Sequence, residues 1–136
     1  MTIYWSQSKV PSIMENSNKI LVVEDDRIMR EILSIFLTEY GNIVSVSCGE
    51  EAIIECKSGV FDLVLMDIKS NNGKDGIETF KIIRDIEKYK DIPVVAITGC
   101  AMNGDKERIL NEGFNGYLAK PFIKKVFIDF VKKYLP

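Results

Sequence analysis

The chain has 136 residues, 46% of them hydrophobic and 28% charged, with a formal net charge of -2 and no histidine. That is the profile of one globular domain with a full core. The charge offers no electrostatic ground for nucleic-acid binding. The lack of histidine excludes a histidine-dependent triad, a histidine metal ligand and a histidine general base on this chain.

Cys48, Cys56 and Cys100 are odd in number and share no C-x-x-C spacing. They indicate neither a disulfide framework nor a zinc site, and a reducing cytoplasm fits them. No apolar run approaches membrane-spanning length. Residues 1–18 lack the basic region and apolar core of a secretory signal. Their serines, asparagines and Pro11 read as a flexible leader, with Met14 as an alternative start. The domain proper is expected over residues 19–136.

Lys19 to Val23 is the first strand, nearly all apolar, and it runs into Glu24-Asp25-Asp26. Arg27 to Tyr40 reads as an amphipathic helix with Ile28, Ile32, Ile35 and Phe36 inward, closed by Gly41 at C′. Asn42 to Ser47 is a second strand, β-branched in character. Glu50 to Ser58 is a short helix with Ala52, Ile53 and Cys56 inward and Gly59 as its stop. Leu63 to Met66 is a continuous apolar run of strand length, suited to burial on both faces of a parallel sheet, and it ends on Asp67. A polar loop, Lys69 to Lys74, leads to a helix over Asp75 to Tyr89, broken by Asp91-Ile92-Pro93. Val94 to Ile97 is a fourth buried strand ending in Thr98-Gly99. Met102 to Asn111 is a weaker helix. Tyr117 to Ala119 is a short fifth strand ending in Lys120-Pro121, and Phe122 to Leu135 is the last helix.

Strands alternating with helices imply right-handed crossovers and a sheet covered on both faces. The expected fold is α/β, flavodoxin-like and doubly wound, a (βα)5 unit with strand order 2-1-3-4-5 and its site where strands one and three part. Glu24-Asp25-Asp26, Asp67, Thr98 and Lys120 then meet at one edge of the sheet. Like charges there repel by about 4 kcal/mol per pair at about 4 Å, so the cluster needs raised pKa values or a cation. Mg²⁺, or Mn²⁺ in its place, answers this with oxygen ligands from Asp25 and Asp67 and one loop carbonyl. With a lysine and a hydroxyl alongside, the set makes a phosphoryl site with Asp67 as nucleophile. Taken singly, Asp26 reads as a helix cap, Thr98 as an N-cap and Lys120 as part of a surface turn.

The stretches Ile20 to Asp26, Phe61 to Asp67, Pro93 to Gly99 and Gly116 to Phe122 resemble, in this order and spacing, the receiver domains of two-component response regulators. The resemblance covers Lys19 to about Tyr134. It implies that Asp67 is the phospho-acceptor, charged from a phosphohistidine on a histidine kinase or histidine phosphotransfer protein. It implies an acidic pair of Glu24 and Asp25, with Asp25 the direct metal ligand, and the carbonyl of Lys69 as loop ligand. Thr98 resembles the switch hydroxyl, Tyr117 the switch aromatic, and Lys120 the partner of the phosphoryl group, with a cis Lys120-Pro121 bond. The run Asp67 to Gly76 departs from the family pattern: it is one residue longer and lacks the usual proline and methionines. Thr98 to Gly104 looks more like receivers of hybrid kinases and of single-domain cell-cycle regulators.

Such a module catalyses only its own phosphoryl transfer and loss, and is otherwise no enzyme. With nothing after the last helix, its signal is expected to leave by protein contact, with no nucleic acid and no membrane involved. The last helix carries more apolar residues than one face needs, Phe127 and Ile128 among them, so part of it near Tyr117 is expected to be a partner site or a weak dimer contact on an otherwise monomeric chain. Three rivals remain: a receiver-like interaction module that works without phosphate, a flavin binder, whose phosphate these carboxylates would repel, and an aspartate-nucleophile phosphatase, which needs an acid where Lys69 stands. P-loop and dinucleotide glycine motifs are missing.

Overall fold

The computed structural model describes residues 18–68, 75–99 and 104–136. Residues 1–17 of the leader, the loop after Ile68 that includes Lys69, and the segment after Gly99 lie outside the described residues; Asn18, read as the end of the leader, opens the first strand. Five strands, β1 (Asn18–Val23), β2 (Gly41–Val46), β3 (Leu63–Asp67), β4 (Val94–Thr98) and β5 (Gly116–Ala119), form one parallel sheet in the order β2-β1-β3-β4-β5. Five helices alternate with them: α1 (Arg27–Leu37), α2 (Gly49–Ser58), α3 (Gly76–Arg84), α4 (Asp105–Asn111) and α5 (Lys124–Lys132). This is the flavodoxin-like arrangement expected from the sequence.

The strands form because their apolar runs are buried on both faces. Leu63 to Asp67 and Val94 to Thr98 are buried at every position. Alternate residues feed two cores. Leu21, Val64, Met66 and Ala96 face a cluster with Ala52, Cys56, Phe80, Ile83 and Ile109 from α2, α3 and α4. Ile20, Val22, Leu65 and Ile97 face a second cluster with Leu33 and Leu37 of α1 and Phe127 and Val131 of α5.

The helix expected over Asp75 to Tyr89 ends at Arg84, with a separate 3₁₀ turn over Glu87–Tyr89, and two helices pack differently from their sequence reading. In α1 the buried residues are Leu33 and Leu37, whereas Ile28 and Ile35 are about 70% exposed. Ile32 is also exposed, and Phe36 packs only at the margin of the core. Both faces of α1 are apolar, so periodicity found a stripe and could not say which one turns inward. The helix ends at Leu37 and tightens into a 3₁₀ turn, Thr38–Tyr40. Gly41 is extended and opens β2, not a left-handed cap. What it provides is close approach, since a Cβ there would lie 2.2 Å from the Asn18 carbonyl oxygen. In α5, Phe127, Ile128, Phe130 and Val131 are all buried, so the apolar excess is core against the sheet and α1. Only Ile123 and Val126 stay exposed, beside a groove of about 410 Å³ floored by Leu118, Ala119, Pro121 and Phe122.

Buried polar groups lock the lower loops. Tyr89 is fully buried; its hydroxyl donates to the Gly59 carbonyl at 2.8 Å and accepts from the Phe61 N–H at 3.1 Å. The Arg84 guanidinium donates to the carbonyls of Tyr89 and Ile92 and to Asn115 Oδ1, tying α3 to the entries of β4 and β5.

Two expectations follow from this packing. Gly76 opens α3 directly over the end of β3, and a Cβ there would lie 2.8 Å from the Asp67 carbonyl oxygen and from the Ile68 Cα. Both are backbone atoms, so Gly76→Ala is expected to cost about 2 kcal/mol in urea unfolding. Burial pushes the Cys56 thiol from 9.0 up to about 11 and also raises the Tyr89 hydroxyl. Above pH 9 the unfolded chain releases protons that the folded chain keeps, so stability falls as pH rises from 9 to about 11. Urea midpoints across that range should drop, and drop less in Cys56→Ala.

Candidate functional site

The sheet register sets the site. Val23 pairs with Met66, so the next residues, Glu24 and Asp67, leave neighbouring strands side by side. Thr98 pairs with Ala119, which puts Lys120 one step beyond it. Backbone bonds extend the ladder past the strand ends: Glu24 N–H to the Val46 carbonyl, Ile68 N–H to Ile97 and Lys120 N–H to Thr98. The four groups are therefore held by the sheet's own hydrogen bonds, at its carboxyl edge.

Glu24, Asp25 and Asp67 each present a carboxylate oxygen within 4.8 Å of the others. Glu24 is 2% exposed and Asp67 6%. Lys120 partly neutralises this charge. Its Nζ lies 2.6 Å from Glu24 Oε1 and 3.9 Å from Asp67 Oδ2. The lysine is thus a partly buried ion-pair partner and not a surface turn residue. The second oxygen of Glu24 accepts the Asp26 N–H at 3.2 Å. Asp26 Oδ1 accepts the Ile28 N–H at 3.0 Å, the helix-capping role read from the sequence. The Lys120-Pro121 peptide is cis.

Thr98 is 1% exposed at the end of β4. Tyr117 stands opposite Ala96 and packs at the margin of the α2–α4 core, on the same face of the sheet. Burial, and then the charge of Asp105, raise its hydroxyl pKa. Gly99 is exposed, and a Cβ there would make ordinary contact with Lys120 Cδ at 3.7 Å. The structure therefore gathers Glu24, Asp25, Asp67, Thr98 and Lys120, with Tyr117 two residues before Ala119, the partner of Thr98; Lys69 lies outside the described residues. The sequence reading missed Arg30, whose Nη1 donates to the Glu24 carbonyl at 2.9 Å. An arginine one turn into the helix that follows an acidic strand end was the available signal.

A doubly wound sheet with acids, a threonine and a lysine gathered at its carboxyl edge defines the receiver type of signalling module. The chain belongs to the response regulator receiver domain family, whose model matches residues 20–132. It is 32% identical over 120 residues to the polar-differentiation response regulator DivK of Brucella ovis, covering 88% of this chain and 97% of that protein. It is 38% identical over 122 residues to the transcription factor SKN7 of Saccharomyces cerevisiae, covering 86% of this chain but 19% of that protein. Among solved structures, chemotaxis protein CheY4 of Vibrio cholerae superposes with a TM-score of 0.81 at 24% identity, covering 88% of this chain and 99% of that one. The receiver domain of sensor histidine kinase PA1611 from Pseudomonas aeruginosa, described with a magnesium ion coordinated in its active-site cleft, superposes with a TM-score of 0.78 at 28% identity, covering 87% and 97%. Among the described residues, no helix is long and apolar enough to cross a membrane.

The ion pair makes one expectation. Lys120→Met leaves the Glu24 carboxylate buried without its ammonium partner. In buffer free of divalent cations this should cost about 3 kcal/mol in urea unfolding, against no more than about 0.5 kcal/mol for removing the exposed Lys125 from its pair with Asp129.

Proposed function

We propose that this receiver accepts a phosphoryl group onto Asp67 from a phosphohistidine on a histidine kinase or histidine phosphotransfer protein, and that the modified site alters its surface for protein contacts. One observation carries the reading: Glu24, Asp25 and Asp67 converge within 4.8 Å, with Lys120 reaching two of them. An Asp67 carboxylate oxygen forms the new bond to phosphorus as the phosphorus–nitrogen bond to the donor imidazole breaks. Lys120 then moves from Glu24 toward the phosphoryl oxygens, and the Thr98 hydroxyl holds another of them. Tyr117, on the strand that neighbours Thr98, follows that movement inward.

The donor set suits a hard divalent cation, since all three ligating side chains offer carboxylate oxygen. Glu24, Asp25 and Asp67, with the carbonyl of Lys69, would hold Mg²⁺ or Mn²⁺. When bound, it supplies positive charge against the phosphoryl oxygens. Asp25 would be the direct carboxylate ligand beside Asp67. Glu24 would contribute mainly charge, because Lys120 and the Asp26 N–H already engage its carboxylate.

The donor docks on the exposed apolar stripe of α1. Ile28 and Ile35 are about 70% exposed and Ile32 is also exposed, starting three residues past Asp25. The chain works as a monomer, with Ile123 and Val126 of the last-helix region offering at most a weak dimer contact.

Incubation with acetyl phosphate and Mg²⁺, read by intact mass, should add one phosphoryl group to the wild type and none to Asp67→Asn. Omitting Mg²⁺ should suppress the gain. Labelling of Asp67→Asn at the wild-type rate would overturn the assignment. Ile28→Ser with Ile35→Ser should slow transfer from a histidine phosphotransfer protein at least roughly fivefold, while labelling by acetyl phosphate stays at the wild-type rate.

A further inference from the structure

Glu24 is wired at every polar group it has. Its N–H donates to the Val46 carbonyl at 3.0 Å, and its carboxylate takes Lys120 and the Asp26 N–H. The remaining group is its carbonyl, half of the peptide that joins Glu24 to Asp25. Arg30 binds that carbonyl at 2.9 Å, reaching back across six residues from the second turn of α1. The helix fixes the base of the side chain, because the Arg30 N–H donates to Asp26 and the Ser34 hydroxyl donates to the Arg30 carbonyl. The plane of the Glu24–Asp25 peptide determines where the Asp25 side chain leaves the backbone.

We propose that Arg30 is a positioning residue for the acidic pocket: by holding the Glu24 carbonyl it sets the Asp25 carboxylate in the orientation that a divalent cation requires. This rests on the reading of the acidic cluster as a cation site. Losing a group that orients the ligands of a metal typically costs about ten- to a hundredfold in affinity.

Charge and position make opposite predictions here. Arg30 is a cation bonded to the backbone of the acidic cluster, at the Glu24 carbonyl. Glu51 accepts the Ser47 N–H and hydroxyl, which lower its carboxyl pKa, and the charge of Arg30 lowers it further. If its charge were its only influence, removing it would leave the pocket more negative and tighten cation binding. If it positions Asp25, removing it weakens binding.

The test is Mg²⁺ affinity by calorimetry, and Mn²⁺ affinity from the paramagnetic resonance of the free ion, on wild type, Arg30→Ala, Arg30→Met and Arg30→Lys, with thermal melts alongside. Arg30→Met keeps the aliphatic stem should Arg30→Ala fold poorly. The expected result is a dissociation constant raised roughly tenfold in Arg30→Ala and Arg30→Met, with partial recovery in Arg30→Lys. In acetyl phosphate labelling the change should fall on the half-saturating Mg²⁺ concentration more than on the rate at saturating Mg²⁺. Unchanged or tighter cation binding in folded Arg30→Met, beside a wild type that binds, would overturn the role of Arg30 alone. A wild type that binds neither ion would overturn the cation site with it.

Discussion

The contact between Lys120 and Glu24, 2.6 Å long and almost out of water, is the constraint on which the site depends. Three carboxylates brought this close in a poorly solvated edge repel one another strongly. The ammonium group makes the cluster tolerable by standing where positive charge is needed. It is also the group with the most freedom to move, a point charge on a long flexible stem. A resident cation that can change partners is what a phosphoryl site on Asp67 would call for, because Asp67 Oδ2 lies 3.9 Å from the lysine.

Everything else in the fold serves to deliver those groups. Parallel strands all point the same way, so their ends share an edge. The order β2-β1-β3-β4-β5 sets β1 beside β3 and so sets Glu24 beside Asp67. Ladder bonds beyond the strand ends keep Lys120 and Thr98 in step. Gly76 lets α3 close directly over the backbone of Asp67. Arg30 then braces the turn by which the chain leaves β1 for α1.

Much of this was legible in the amino-acid sequence. Short apolar runs such as Leu63 to Met66 and Val94 to Ile97 announce strands buried on both faces, and the polar residue after each run, Asp67 or Thr98, is placed by topology alone. Orientation was harder. In α1 the isoleucines at 28, 32 and 35 are as periodic as the residues that bury, and only the tertiary packing of Leu33 and Leu37 decides between the faces. In α5 the apolar excess was real, but the sheet and α1 consume it from two directions. Gly41 illustrates a different blind spot. A glycine after a helix reads as a cap, whereas here the constraint is the Asn18 backbone of the neighbouring strand, which pairs with Gly41 in the register of β1 and β2. Hydrogen bonds from long side chains to carbonyls, such as those of Arg30 and Arg84, leave no periodic trace at all.

The most direct measurement is a crystal structure of the protein grown with Mg²⁺ and beryllium fluoride, a mimic of the phosphoryl group. The account predicts the fluoride adduct on an Asp67 oxygen, with Lys120 Nζ moved off Glu24 and bonded to a fluorine. An adduct absent from Asp67, or Lys120 still paired with Glu24 beside a bound adduct, would contradict it.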